Sequence, residues 1–165
     1  IATLGPFALV VTFGVLHHIP RPEPVVQAAY TALRPGGKLF VWIYGREGNE
    51  LYLTLVQPLR ALTKRLPDRV LVWVVRTLDI PLAAYIWLCR FLPLPMRAYM
   101  RDHLGRLDGD KRRLTIFDQL NPAYAKYYTR EEAYALLADA GFVDIAQRHR
   151  HGYSWSLVGT KPDAV

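Results

Sequence analysis

The stretch LRPGGKLFVWIYG, residues 33–45, constrains this 165-residue chain more tightly than any other. Upstream of it Val26, Ala29, Tyr30 and Leu33 recur at spacings of three, four and seven, which marks one face of an α-helix. Pro22 fits a first helical turn, and Glu23 complements the positive end of the helix. Arg34 suits the negative end. Pro35 lacks an N–H and restricts the residue before it, so the helix cannot run on. Gly36 and Gly37 can take the positive φ needed to reverse the chain. KLFVWIYG follows as an almost unbroken apolar run, the pattern of a strand covered on both faces in a parallel sheet. FALVVTF, ending at Phe13, is a second such run. Strand, helix and strand in so short a span predict a right-handed βαβ unit. Residues 7–12 and 38–44 should be parallel neighbours, with any closing strands beyond 38–44.

The chain divides into three parts. Residues 1–48 hold the βαβ unit. Residues 49–117 read as mainly helical, with breaks at Pro58, Pro67, Pro81, Pro93 and Pro95. Residues 118–165 return to α/β patterning. There TREEAYALLADAGF predicts a helix with Thr129 as N-cap, Glu132 completing a capping box, and Ala133, Leu136, Leu137 and Ala140 on its apolar face. Gly141 and Phe142 fit its stop. FVDIAQRHRHG and YSWSLVGTKP then predict an antiparallel strand pair joined around Gly152.

Composition narrows the class. With 52% hydrophobic and 21% charged residues, neither a disordered tail nor a fibrous repeat is expected. The single cysteine, Cys89, excludes an internal disulfide and suits a reducing, cytoplasmic compartment. Much of the net charge of +7 comes from residues 96–114, a net +3, where six basic side chains are interleaved with Asp102, Asp108 and Asp110. That mixture reads as a solvated face rather than a one-sided nucleic-acid footprint, so no nucleic-acid partner is expected. No metal-ligand spacing stands out. The segment 69–95 is densely apolar but interrupted by Arg76, Asp79, Pro81 and Arg90. It reads as packed cap helices, as a lid over a lipophilic acceptor, or as a helix in a membrane interface with Trp73 and Trp87 at headgroup level.

The segment FALVVTFGVLHHIPRPEPVVQAAYTALRPGGKLFVWIYGREGN resembles the second half of a class I S-adenosylmethionine-dependent methyltransferase. The small-molecule, ubiquinone/menaquinone-biosynthesis-like group is the nearest in pattern: a strand, a VLHH segment, a helix and an LRPGG turn into the next strand. FDQLNPAYAKYYTREEAYALLADAGF and the terminal GTKP are similar to that family's last helix and closing strand. Ala8 departs from the pattern, which has aspartate there. The family's Gly-rich cofactor loop is missing, since none of the eleven glycines forms a G-x-G. Because the chain opens at Ile1 almost directly on a buried strand, the front of a longer protein is expected to precede it.

The resemblance implies an α/β fold: the C-terminal part of a Rossmann-like methyltransferase sheet, with a helical insertion after the second visible strand. It implies S-adenosyl-L-methionine as cofactor, with Phe13, Gly14, Val15 and His18 beside it, and methyl transfer to a small lipophilic or aromatic acceptor in the full-length parent. Ligands of such sheets bind beyond the carboxyl ends of the strands, where His17, His18 and Tyr44 fall. His17 and His18 are candidate bases or orienting groups, against a plain role in satisfying loop backbone. Tyr44, Tyr124, Tyr127 and Tyr128 are candidates for the acceptor pocket, against packing. The rival reading is a noncatalytic, degenerate methyltransferase half that binds a partner or a membrane surface.

Overall fold

The computed structural model describes residues 5–121 and 124–163. Strand β1 (Phe7–Phe13) leads through a short 3-10 turn at Leu16–His18 into helix α1 (Glu23–Ala32) and strand β2 (Leu33–Tyr44). Helices α2 (Glu50–Thr63), α3 (Asp68–Leu88), α4 (Arg97–Asp102) and α5 (Gly109–Leu120) follow. Helix α6 (Arg130–Ala138) and strands β3 (Val143–Arg150) and β4 (Ser154–Thr160) complete the chain. The four strands form one sheet in the order β1-β2-β4-β3. Strands β1 and β2 are parallel, and β4 is antiparallel to both β2 and β3. This is the expected arrangement of an α/β sheet.

The LRPGG joint differs in detail from the expected turn. Strand β2 begins at Leu33, and the register jumps from Phe7 opposite Leu33 to Leu9 opposite Lys38, so residues 34–37 bulge out of the ladder. Gly36 has φ +68°, which a side chain disfavours, while a Cβ on Gly37 would lie 2.7 Å from the Arg34 carbonyl oxygen. The bulge is tied down from the far end of β4. The Gly36 N–H donates to the Lys161 carbonyl, the Lys161 N–H donates to the Gly37 carbonyl, and the Lys161 ammonium donates to the Leu33 carbonyl. The Pro-Gly-Gly sequence therefore does not reverse the chain. It lets β2 leave α1 directly and enter the sheet.

The hydrophobic core lies on one side of the sheet. Leu39, Val41, Ile43 and Leu157 are fully buried against Val26 and Ala29 of α1 and Ala133 and Leu137 of α6. Burial of each such side chain stabilises by about 1.5–3 kcal/mol. Thr129 caps α6 by accepting from the Glu132 N–H while Glu132 accepts from the Thr129 N–H, the expected capping box. Gly141, at φ +92°, ends the helix and delivers Phe142 into the core against Tyr30. His151 and Gly152 take positive φ in the tight turn between β3 and β4, as hairpin turns require.

The opposite side of the sheet is not covered as the apolar runs predict. Leu9, Val11 and Phe13 are 55%, 56% and 60% exposed. A run with apolar residues on both sides records that both could be buried; α1 and α6, the helices that pack in the core of the sheet's own compact unit, cover one side.

Residues 54–122 form a second compact unit. The prolines act differently here from their sequence expectation, because Pro58 lies inside α2 and Pro81 inside α3 rather than breaking them. An interior proline forfeits one backbone bond and bends the helix, and long helix-forming flanks on both sides can absorb that loss. Helix α3 buries Leu71 and Val75 and is joined to α5 through a half-hidden ion pair. Asp79 accepts from Arg112 and from Arg113, at 3.4 Å for the latter, and the Arg112 hydrogen bond holds its carboxyl below the usual range against the opposing effect of burial. Asp108 caps α5 by accepting from the Lys111 N–H. Arg60 donates to the Gln119 carbonyl and Thr63 to the Leu120 carbonyl, which fastens the end of α2 to the end of α5. The outer stripe of α3 carries Trp73, Ile80 and Trp87, all more than half exposed. By length and composition alone α3 could cross a membrane, the one such helix among the described residues.

Candidate functional site

Two parallel strands end side by side at Phe13 and Tyr44, and the candidate residues gather beyond those ends. Gly14 continues the ladder by donating to the Trp42 carbonyl and turns the chain with φ +74°. A Cβ there would meet nothing nearer than the Trp42 ring edge at 3.9 Å, so backbone conformation, not crowding, explains this glycine. Phe13 stacks on Trp42 with ring centroids 4.7 Å apart, and Val15 beside it is 49% exposed.

The histidine pair separates into two environments. His17 is fully buried, with its ring 3.8 Å from that of Tyr44 and neither ring nitrogen hydrogen-bonded. Burial, reinforced by the neighbouring His18, pushes its pKa down to about 3, so it is neutral in ordinary buffers. His18 is exposed. Its Nδ1 lies 2.9 Å from the Tyr124 carbonyl oxygen, and an oxygen acceptor requires that Nδ1 carry the hydrogen. In the neutral ring, Nε2 is then the free lone-pair atom.

The segment 124–128 is laid along the end of β2. The Lys126 N–H donates to the His17 carbonyl, the Tyr128 N–H to the Tyr44 carbonyl, and the Arg46 N–H to the Tyr128 carbonyl. In such an extended segment adjacent side chains point to opposite sides. Tyr127 stacks on Tyr44 at 5.3 Å and also meets Tyr52. Tyr128 instead joins the core on the helix-covered side, 2% exposed. Thus Phe13, His17, His18, Tyr44 and Tyr127 come together with the Tyr124 main chain, whereas Tyr128 is turned away from them.

A locking cluster escaped the sequence reading. The Glu47 carboxylate accepts from the Arg130 N–H at the start of α6 and from the Trp155 indole N–H, and His149 stacks on that indole. Burial opposes its charge, but these hydrogen bonds outweigh it and hold the Glu47 carboxyl below its usual range. Asn49 donates to the Gly45 and Tyr153 carbonyls. Together they fix the loop that leaves β2, and with it the height of Tyr44. Glu47 and Arg130 lie 83 residues apart, and nothing local in either segment signals the contact.

Residues 4–41 match the family described as Methyltransferase domain. No curated protein matches the chain in sequence. Among solved structures, an O-methyltransferase family protein from Burkholderia thailandensis aligns over 99% of this chain and 33% of its own, at 11% identity and a TM-score of 0.51. Human N-acetylserotonin methyltransferase, solved in complex with SAM, aligns over 98% of this chain and 32% of its own, at 14% identity and a TM-score of 0.46. The chain therefore spans about a third of the length of these solved structures. Residues 4–41 thus match a methyltransferase domain model, and the sheet built around them is similar in fold to the Burkholderia O-methyltransferase family protein.

Proposed function

We propose that this chain is the C-terminal part of an S-adenosylmethionine-dependent methyltransferase acting on a small aromatic or lipophilic acceptor in the cytoplasm. The observation that carries the reading is His18: an exposed imidazole whose Nδ1–H is fixed by the Tyr124 carbonyl, beside the Tyr44–Tyr127 stack. When bound, the cofactor supplies an electrophilic methyl group on sulfur. The strand end suits one wall of its site, because Phe13 and Val15 are exposed and the space above Gly14 is open. The Tyr44–Tyr127 stack offers an aromatic wall to an acceptor ring, and His18 Nε2 accepts the acceptor's proton. His17, neutral and sealed, is a platform under Tyr44 and not a base. Positioning of this kind can lower a barrier by up to ~7–11 kcal/mol.

The test uses the full-length parent. His18→Gln should lower kcat while leaving cofactor affinity intact, and Tyr44→Ala should raise the KM for acceptor. An unchanged kcat in His18→Gln removes His18 from the chemistry. The 165-residue chain alone should bind the cofactor no more tightly than roughly millimolar, about −4 kcal/mol, because it offers one wall of the site. Micromolar binding by that chain means the site lies elsewhere.

A second reading rests on α3. Its exposed Trp73, Ile80 and Trp87 alternate with exposed Arg69 and Arg76, and exposed Arg90 follows just past its end, a composition suited to lying in an anionic membrane surface. A noncatalytic module of this kind would sediment with phosphatidylglycerol vesicles and show no cofactor binding even at full length. Absence of vesicle binding rejects it.

A further inference from the structure

Either nitrogen of a neutral imidazole can carry the hydrogen, and the hydrogen bond made by one nitrogen decides which. For His18 the deciding group is the Tyr124 carbonyl oxygen, 2.9 Å from Nδ1. That carbonyl belongs to the extended segment 124–128, which is neither helix nor one of the four strands. Whatever holds this segment in place therefore also sets where the proton on His18 resides.

The segment is fastened to the strand ends by backbone bonds from Lys126 to His17, from Tyr128 to Tyr44 and from Arg46 to Tyr128. Arg46 is the immediate neighbour of Glu47, and Glu47 also takes hold of the segment's far end. One of its carboxylate oxygens accepts from the Arg130 N–H at 2.8 Å, at the first position of α6. The other accepts from the Trp155 indole N–H at 3.1 Å, and the Glu47 carbonyl accepts from His149 Nε2 at 3.2 Å. Trp155 is buried and paired within β4, so the anchor is the sheet itself. The first N–H groups of a helix lack partners within it and favour negative charge, which makes a carboxylate there a firm grip. Yet α6 does not need Glu47 in order to begin, because Thr129 already caps it by accepting from the Glu132 N–H. What Glu47 adds is the position of the helix start, and of the segment that leads into it.

We propose that Glu47 is a positioning residue for His18: by gripping the Arg130 N–H it sets segment 124–128, keeps the Tyr124 carbonyl on Nδ1–H, and so leaves Nε2 as the open lone pair. The consequence for turnover rests on the methyltransferase reading above; the effect on the proton does not.

Nuclear magnetic resonance of the full-length protein, labelled with ¹⁵N-histidine, tests it. Spectra taken about two pH units above the ordinary histidine pKa show which nitrogen of the neutral ring carries hydrogen, and the His18 signal is assigned by its loss in His18→Gln. The unaltered protein should show mainly the Nδ1–H form. Arg130→Pro removes the N–H that Glu47 accepts and keeps the helix. Proline suits a first helical position, and Thr129 before it already has the extended backbone, ψ 167°, that a following proline requires. Arg130→Pro and Glu47→Gln should each lower the ratio of Nδ1–H to Nε2–H by about twofold to tenfold, the population change that the net loss of one hydrogen bond brings. If Glu47→Gln unfolds, Arg130→Pro still decides. Val26→Ala, a core truncation on α1, controls for lost stability and should leave the ratio unchanged. In an active enzyme both variants should lower kcat along with the ratio and leave cofactor affinity intact. A shifted ratio in a protein without methyl transfer keeps the positioning role and removes only the methyltransferase reading. A mainly Nε2–H ring in the unaltered protein, an unchanged ratio in Arg130→Pro, or an equal shift in Val26→Ala overturns the proposal.

Discussion

The two faces of the sheet are made from the same strands and similar residues, yet they have opposite fates. On one face Leu39, Val41, Ile43 and Leu157 are sealed beneath α1 and α6. On the other, Leu9, Val11 and Phe13 of β1 stand open, joined by half-buried Phe40 and Trp42 of β2. Side-chain hydrophobicity sets how much burial is worth, but only a neighbouring layer can deliver it. The open face is also not uniform. Toward the carboxyl end of β2 it becomes the closed aromatic cluster of Tyr44, His17 and Tyr127.

The comparison can be broken most directly by paired truncations. In the 165-residue chain, Ile43→Ala should cost about 2–5 kcal/mol, and Val11→Ala less than about 1 kcal/mol, by urea unfolding. Comparable losses would mean that the open face is covered in solution. In the longer protein that the proposed function implies, a rise of the Val11→Ala cost toward the Ile43→Ala figure would show that a further layer packs on β1.

The boundary of the open face can be sharpened by acid titration. Between about pH 6.5 and 3 the unfolded chain binds a proton that folded His17 refuses, so stability should fall as pH falls across that window. The slope from this group is at most about 1.4 kcal/mol per pH unit. His17→Phe should flatten the profile relative to the unaltered protein. An unchanged profile would place His17 in contact with water, and the aromatic cluster with it.

A smaller effect tests the covering layer. Thr129→Ala removes the α6 cap and should cost about 1 kcal/mol, with faster amide exchange in the first turn of α6. No change would mean that packing of Ala133 and Leu137, rather than the cap, holds that helix. Smallest of all, Leu9→Lys on the open face should alter the unfolding free energy of the 165-residue chain by no more than about 0.5 kcal/mol while reducing its aggregation. A large loss would contradict the exposure of this strand.

Local signals carried much of this fold. The 3.6-residue pattern of Val26, Ala29 and Tyr30, the Thr129–Glu132 box and the Gly141 stop all act within a few residues, so they are readable in order along the chain; Leu33, which the same pattern put on the helix, instead opens β2. The same holds for the apolar runs that became β1 and β2. The candidate site was legible as a neighbourhood, since strand ends of an α/β sheet gather His17, His18 and Tyr44. Its division of roles was not. Nothing in the dipeptide His17-His18 says which ring is buried, because that depends on Tyr44 above one and the Tyr124 carbonyl beside the other.

What the sequence alone determined are the properties that depend on near neighbours: helix ends, the strand-forming runs, the glycines of the joint. Only the tertiary structure decided which side of Tyr127-Tyr128 faces the strand ends and that residues 34–37 form a bulge tied to Lys161. It also decided that Glu47 reaches Arg130 and Trp155. The reason is physical. Capping and turn formation are satisfied by atoms a few bonds away, whereas burial, pKa and long-range hydrogen bonds are set by whatever the folded chain brings alongside, and distance along the sequence does not encode that.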